Sequence, residues 1–204
     1  MSDSFLYTTP LDPRAKPLID ELIHEYDSRY GTYFNAEGAA AELNRYPPEA
    51  FAPPNGNFVL LIRDGETIGG GAFKRYDERT AEFKRIWTRH DLRRQGLARK
   101  VLVELESRAA RQGYSRIYLT TGFRQPEAVG LYLNYGYTAL FDQTVDPEIH
   151  RTLPFEKDVS HLAEPELRVL AATGENGKDR EFIKGKHHGT DDRFRGDRAR
   201  QQDR

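Results

Sequence analysis

The spacing of apolar residues at the start of the chain predicts one strand and two helices. Residues 5–9 favour a strand. A helix is predicted from Asp12-Pro13, because Asp caps helix N-termini well and Pro suits the first helical position. The helical pattern ends at Gly31, and a second, short helix is predicted over 36–44. The apolar residues with helical spacing in the first helix are Leu18, Ile19, Leu22, Ile23 and Tyr26.

Three strands and a long helix are predicted in the middle of the chain. The strands cover 58–63, 67–75 and 80–88, and Asp64-Gly65 between the first two is typical of a hairpin turn. Consecutive glycines in the second of these strands permit a close approach by a neighbour or a ligand. The helix that follows has one apolar stripe, formed by Leu97, Val101, Leu102, Leu105 and Ala109.

The last part of the apolar region adds three strands and one helix. A strand over 116–121 precedes a helix over 126–135, and closing strands are predicted over 137–143 and 151–157. This order of elements indicates an α/β fold, with a mixed sheet flanked by helices.

The composition changes towards the C-terminus. The 204 residues allow one domain and an extension. Most apolar and aromatic residues lie within 5–155, whereas Gly, Lys, Arg, Asp and Gln dominate from Ala171 onward. A segment so poor in apolar residues does not offset the entropy lost on ordering. We therefore predict one folded domain over 1–159 and a charged, largely disordered tail over 160–204.

Charge and cysteine content argue against several classes of partner. The formal net charge is -1, which gives no field that would attract nucleic acid or an anionic membrane. No apolar run approaches the ~20 residues of a membrane span, and the first residues lack the features of a signal peptide. The absence of cysteine excludes disulfides and thiol catalysis. We expect a cytoplasmic protein without nucleic-acid, membrane or metal partners, and His187-His188 are interpreted as solvent-exposed.

A basic loop that leads into the long helix is the most informative segment. Helix N-termini present unpaired backbone N–H groups and the positive end of the helix dipole, so they bind phosphate groups. Gly96 allows a ligand close to the backbone, and small Ala98 leaves room beside it. Arg93, Arg94 and Arg99 add positive charge suited to anionic oxygens. The segment therefore predicts a pyrophosphate site.

The spacing of this loop differs from those of two common phosphate-binding motifs. No Lys-Ser or Lys-Thr pair follows Gly96, which argues against a P-loop, and Gly69-Gly70-Gly71 lies within a predicted strand rather than in a Rossmann turn. The pattern Arg93-x-x-Gly96-x-Ala98 resembles the acyl-CoA pyrophosphate loop of the GNAT superfamily of N-acyltransferases, written Q/R-x-x-G-x-G/A.

Two further features carry the same resemblance. Residues 125–137 are similar to the second CoA-contacting segment of the family, N-x-x-A-x-x-L-Y-x-x-x-G-F. Gln125 stands where the family has Asn, and Tyr137 where it has Phe. Glu82 lies upstream of the loop, where several members place a catalytic glutamate. The residues that match the second segment in register are Ala128, Leu131, Tyr132 and Gly136.

The resemblance implies a fold, an activity and a donor site. The fold would be GNAT-like, with a central, mostly antiparallel sheet that has one parallel pair at the CoA cleft and helices on its faces. The activity would be transfer of an acetyl group from acetyl-CoA to an amine, without a metal. The residues expected to bind the donor are Ile86, Trp87, Thr88, Arg93, Arg94, Gln95, Gly96, Leu97, Ala98, Arg99 and Gln125.

Acyl transfer to an amine needs a base, oxyanion donors and an acid. Glu82 is the candidate base, acting through ordered water. A backbone N–H within 86–88 is the candidate oxyanion donor, because the resemblance implies a bulge in this strand that frees such groups. Tyr132 is the candidate acid, because a phenol with a pKa of ~10 keeps its proton at neutral pH. The alternatives are that Glu82 pairs with Lys84 or Arg85, and that Tyr132 is a core aromatic.

The acceptor is the least determined part of the prediction. In this fold the loop after the first helix lines the acceptor pocket, and its acidic and aromatic residues suit an amine. Arg29 and Arg124 are alternatives that would instead bind a carboxylate. A small-molecule amine is favoured as the acceptor, and a protein or peptide amine remains open. A CoA-binding regulatory module without catalysis is the alternative function. The oligomeric state is also open, with a homodimer as one possibility. The acidic and aromatic residues are Glu25, Tyr26, Asp27, Tyr30, Tyr33 and Phe34.

Overall fold

One mixed sheet organises the computed structural model, which describes residues 2–163. The sheet has the strand order β1-β2-β3-β4-β5-β7-β6, and all neighbouring strands are antiparallel except β4 and β5. This arrangement confirms the predicted mixed sheet with one parallel pair. The strands are β1 Asp3–Thr8, β2 Asn57–Arg63, β3 Glu66–Arg75, β4 Thr80–Thr88, β5 Arg116–Gly122, β6 Thr138–Ala139 and β7 Thr152–Asp158.

The helices agree with the prediction except near their ends and in the segment before β7. At the first helix, residues Pro13–Ala15 form a 3-10 turn, which Asp12 caps by accepting from the backbone N–H of Arg14. The α-helices are α1 Lys16–Tyr30, α2 Ala39–Leu43, α3 Leu97–Arg111, α4 Pro126–Asn134 and α5 Pro147–His150. Further 3-10 turns are Pro48–Phe51, His90–Leu92 and Ser160–Leu162.

The prediction of a strand over 137–143 was wrong for most of its length. Only Thr138–Ala139 forms a strand beside β7, and the Leu140 N–H adds one further hydrogen bond to the Pro154 carbonyl group at 2.9 Å. Asp142 then accepts hydrogen bonds from the backbone N–H and the hydroxyl group of Thr144, at 2.8 and 2.6 Å, and these local bonds replace strand pairing. The short helix α5 follows, capped by Asp146.

Helices cover both faces of the sheet, because its strands bury alternate residues on opposite sides. Phe58 and Leu60 of β2 pack with Leu18 of α1, whereas Val59 and Leu61 pack with α3. The glycines of β3 bring both helices close. A Cβ atom on Gly70 would lie 2.7 Å from Leu18 of α1, and one on Gly71 would lie 2.9 Å from Leu105 of α3.

A buried hydrogen-bonded ion pair fixes α3 against the far edge of the sheet. The Glu106 carboxylate of α3 lies 2.8 Å from Nζ of Lys157 in β7, and it also accepts from the Tyr137 hydroxyl group at 2.8 Å. Because Glu106 is only 5% exposed, its charge depends on these partners rather than on water.

The last residues lie mostly outside the described part. The predicted disordered tail over 160–204 falls outside the described residues, apart from residues 160–163, which contain the 3-10 turn next to α3. Among residues 2–163, none of the helices is long and apolar enough to span a membrane.

The ion pair predicts a stability loss that depends on charge. Lys157→Ala leaves the Glu106 carboxylate buried beside a single hydroxyl donor, and we expect the free energy of unfolding to fall by about 3 kcal/mol. Urea denaturation measures this change. In the double variant Glu106→Gln, Lys157→Ala the buried charge is gone, so most of the loss should be recovered. Equal losses in the single and double variants would contradict this explanation.

Candidate active site

A cleft opens where the two parallel strands separate. Residues Thr80–Phe83 of β4 pair with Arg116–Leu119 of β5, but the following residues of the two strands do not pair with each other. The opening has a volume of about 700 Å³, and helices α1 to α4 all contribute to its lining. A cleft of this size suits a small-molecule ligand.

A bulge in β4 accompanies the separation of the strands. Gly70 pairs with Trp87 and Ala72 pairs with Lys84, so Gly71 lies opposite both Arg85 and Ile86. Arg85 has a φ of 58°, a left-handed conformation that is uncommon for residues other than glycine. A bulge of this kind interrupts the ladder and bends the strand. The bulge that the family resemblance implied is therefore present in the structure.

The N-terminus of α3 forms one end of the cleft. Gly96 precedes the helix with a φ of 75°, and a Cβ atom built there would meet open space. The first backbone N–H groups of α3 have no side-chain cap at Gly96. All the residues predicted to bind the donor line the cleft except Gln95, which is exposed in the turn before Gly96.

Two tyrosines from opposite faces of the sheet line the cleft. Tyr132 of α4 is 7% exposed and packs against Tyr137 and Phe155. Burial raises the pKa of Tyr132 above its usual range, and the nearby Tyr26 phenol adds to this effect. Burial likewise raises the pKa of Tyr26 to about 12. Both phenols therefore keep their protons at neutral pH.

Glu82 lies in β4 just before the strands separate, outside the lining of the cleft. Its carboxylate is paired with Lys74 and Lys84, each at 2.7 Å. Burial favours a raised pKa for Glu82, but the two lysines outweigh it and hold the pKa below its usual value. The pairing with Lys84 is the alternative that the sequence left open, and a role for Glu82 as a base stays a prediction.

The acidic and basic candidates for acceptor binding form ion pairs and hydrogen bonds within the protein. Glu25 accepts from Arg29 at 2.8 Å and from Arg93 at 3.0 Å, which joins α1 to the basic loop. Arg29 also pairs with Glu127 of α4. The Arg124 guanidinium donates to the Arg29 carbonyl group at 2.7 Å. These side chains hold α1 against the start of α4, and Asp27 is exposed.

The aromatic candidates form a cluster rather than an open cage. The ring of Tyr30 lies 5.0 Å from that of Phe34 and 5.5 Å from that of Phe123. The centre of the Tyr33 ring lies 5.3 Å from that of the Phe123 ring. Tyr30 and Phe34 line the cleft, but each already packs against other rings, so the cluster shapes the wall of the pocket.

Arg85 is a cleft residue whose environment the sequence did not indicate. The sequence suggested it only as an ion-pair partner of Glu82, whereas the structure turns it toward α2 and away from that carboxylate. The bulge turns the Arg85 side chain in this direction. Apart from the family resemblance, the sequence of β4 gives no sign of a bulge. Among residues 2–163, no group of three or more His, Asp and Glu side chains could hold a metal ion.

Comparison with known proteins defines the class of this protein. The model of the acetyltransferase (GNAT) family matches residues 18–137. The chain is 24% identical over 125 residues to YjgM of Escherichia coli strain K12, described as an uncharacterized N-acetyltransferase. That match covers 59% of this chain and 75% of YjgM. The chain belongs to the GNAT acetyltransferase family.

Solved structures show the same fold. An acetyltransferase of the GNAT family from Staphylococcus aureus has a TM-score of 0.60 and 15% identity, over 78% of this chain and 99% of that chain. PaiA N-acetyltransferase from Thermoplasma acidophilum, in complex with coenzyme A, has a TM-score of 0.58 and 16% identity, again over 78% and 99%.

The geometry of Gly96 predicts a specific effect on CoA binding. In Gly96→Val, the new side chain occupies the open space before α3 and strains a left-handed residue, so CoA affinity should fall at least tenfold, about 1.4 kcal/mol. Isothermal titration calorimetry measures this change. Gly113→Val is the matched control, because Gly113 also has a positive φ and open space around its Cβ position but lies after the other end of α3. Equal affinities for CoA in wild type and Gly96→Val would refute the site.

Proposed function

We propose that this protein transfers the acetyl group of acetyl-CoA directly to the amine of a small molecule. The observation that carries the proposal is a single cleft that joins two different ends. One end is the uncapped N-terminus of α3 with its arginines, and the other is enclosed by α1 and α2. Tyr132 lies in the lining that they share. A donor and an acceptor bound at these ends would meet beside its hydroxyl group.

The donor end suits the pyrophosphate of CoA. Backbone N–H groups at a helix N-terminus and guanidinium groups both donate to phosphate oxygens. Arg94 and Arg99 are exposed at this end, whereas Arg93 is held by Glu25. Complexes of related folds with coenzyme A support the same choice of donor.

The reaction forms one bond and breaks one. The amine nitrogen attacks the thioester carbonyl carbon, the new C–N bond forms, and the C–S bond breaks to release the CoA thiolate. Backbone N–H groups beside the bulge at 86–88 would stabilise the oxyanion. Tyr132 would donate its proton to the thiolate, the nitrogen would lose its extra proton to water as the amide forms, and the phenolate would regain a proton from water. The chain contains no cysteine, which supports direct transfer rather than a cysteine thioester intermediate.

A protonated amine must also lose a proton before it can attack. Carboxylates that line the cleft include Glu25, Glu42 and Glu127, and each is paired with an arginine. Glu82 is paired with two lysines. We therefore propose that the acceptor reacts in its neutral form after losing its proton to solvent.

Loss of the Tyr132 hydroxyl group should affect chemistry and not binding. In Tyr132→Phe the ring and its packing remain, so turnover should fall about ten- to a thousandfold while CoA affinity changes little. The release of free thiol from acetyl-CoA, with an amine found by screening, measures turnover. Calorimetry with CoA is the control for binding. Wild-type turnover of Tyr132→Phe across the pH range would remove Tyr132 from the mechanism.

Substitution of Glu82 distinguishes between two roles of this residue, a catalytic base and a carboxylate that only stabilises the fold. We expect turnover of Glu82→Gln to keep the pH dependence of wild type, because the lysines hold the Glu82 carboxylate below its usual pKa. The variant should instead be less stable. This loss should be present at neutral pH and disappear as pH falls through the folded-state pKa of Glu82, since the group is ionised and paired only above it.

Turnover and thermal unfolding, each measured against pH, test this expectation. A turnover deficit confined to pH values below the pKa of the acceptor amine, with recovery above it, would instead establish Glu82 as the base.

A further inference from the structure

Arg85 is a buried cation without an anionic partner among residues 2–163. Its residue is 8% exposed, and it lies at the bulge of β4 in the part of the cleft that faces α1 and α2. Nη2 donates to the carbonyl group of Leu43 at 2.6 Å, and the guanidinium carbon lies 4.6 Å from the centre of the Phe51 ring. Nη1 is buried and has no hydrogen-bond partner among the described residues.

The neighbouring charges do not compensate Arg85. The nearby carboxylate of Glu42 pairs with Arg45 at 2.8 Å, and Glu82 pairs with Lys74 and Lys84. Tyr26 interacts electrostatically with Arg85, but its phenol is neutral at ordinary pH. This end of the cleft therefore carries excess positive charge, and its aromatic surface around Tyr46 already holds cations.

A buried charge without a counterion is unfavourable, because nothing replaces the hydration that it has lost. The guanidinium group stays charged at any pH of interest, so it cannot escape this penalty by losing a proton. The left-handed backbone of Arg85 adds strain at the same residue. The partners that Arg85 has, the Leu43 carbonyl group and the Phe51 ring, are neutral, so neither supplies a counter-charge. A ligand that brings an anion into the cleft would remove the penalty.

We propose that the acceptor is a small amine that also carries a carboxylate, and that Arg85 binds this carboxylate. The inference rests on the proposed function, since it concerns the second substrate of the same cleft. Nη1, which has no partner among the described residues, is the donor assigned to the ligand, whereas Nη2 already donates to Leu43. A carboxylate bound there lies at the α1–α2 end, which leaves the amine directed to the part of the cleft shared with the donor. Amines without an acidic group would leave Arg85 unpaired and bind less well.

The experiment compares matched acceptors in the full-length protein. Each amino acid is tested beside its carboxamide, which has the same shape without the charge, and beside the corresponding aminoalkyl phosphate. Thiol release from acetyl-CoA gives kcat and KM for each. In wild type we expect kcat/KM for the carboxylate to exceed that for the carboxamide by at least about tenfold, mainly through a lower KM.

Substitution of Arg85 should abolish this preference without disturbing the donor. In Arg85→Met the ratio of kcat/KM values should fall to about one, and CoA affinity should stay within about twofold of wild type. Arg85→Lys keeps the charge and should retain part of the preference. Arg108→Met is the matched control, because Arg108 also has a buried nitrogen without a partner and stacks on a ring, at 4.7 Å from Tyr7, but lies outside the cleft lining. The control should keep the wild-type ratio.

The outcomes separate this inference from the proposed function. Equal turnover of carboxylates and carboxamides by wild type would overturn the role of Arg85 while leaving the acetyltransferase function intact. Preference for the aminoalkyl phosphate would overturn the assignment to a carboxylate. Thiol release with none of the amines, despite CoA binding, would refute the proposed function itself. If Arg85→Met fails to fold, the wild-type comparison and Arg85→Lys still decide the question.

Discussion

The separation of β4 from β5 is the constraint on which the rest of the site depends. The two strands pair for four residues each and then diverge, while β5 keeps its partner β7 through Gly122. The bulge at Arg85 inserts one residue opposite β3, so β4 bends without losing its other neighbour. The cleft, the exposed N-terminus of α3 and the side chain of Arg85 all lie where the two strands have separated.

The loop and helix N-terminus of the proposed donor end could be predicted because they are contiguous in sequence. The basic loop, Gly96 and the start of α3 are contiguous, and backbone N–H groups need only a helix N-terminus to bind phosphate. Strong periodicity likewise located α3 and the central strands to within a few residues. The predicted strand over 137–143 failed because side-chain hydrogen bonds of Asp142 compete with pairing, and such local competition leaves no periodic signal.

The acceptor end could not be predicted in the same way. Its side chains come from α1, α2, the turn before β2 and the bulge in β4, which are far apart in sequence. The acidic and aromatic residues at the end of α1 and just after it have the composition of an amine pocket, but Glu25 and Tyr30 instead join α1 to the basic loop and to the turn after β5. Glu82 shows the same limitation, since its partners Lys74 and Lys84 come from β3 and from β4 itself, and only the pairing of the strands brings Lys74 to it.

The buried polar atoms without a hydrogen-bond partner are concentrated in one part of the fold. Of the three buried side-chain atoms without a partner among the described residues, Arg85 Nη1 and Thr88 Oγ1 belong to the part of β4 that has left β5. The Glu106 carboxylate, equally buried, has every partner it needs. Two of the three atoms therefore lie on one strand segment that lines the cleft, where a bound ligand can supply the missing partners, and the third, Arg108 Nε, lies outside the cleft. The bent end of β4 therefore links the proposed donor and acceptor ends of the cleft.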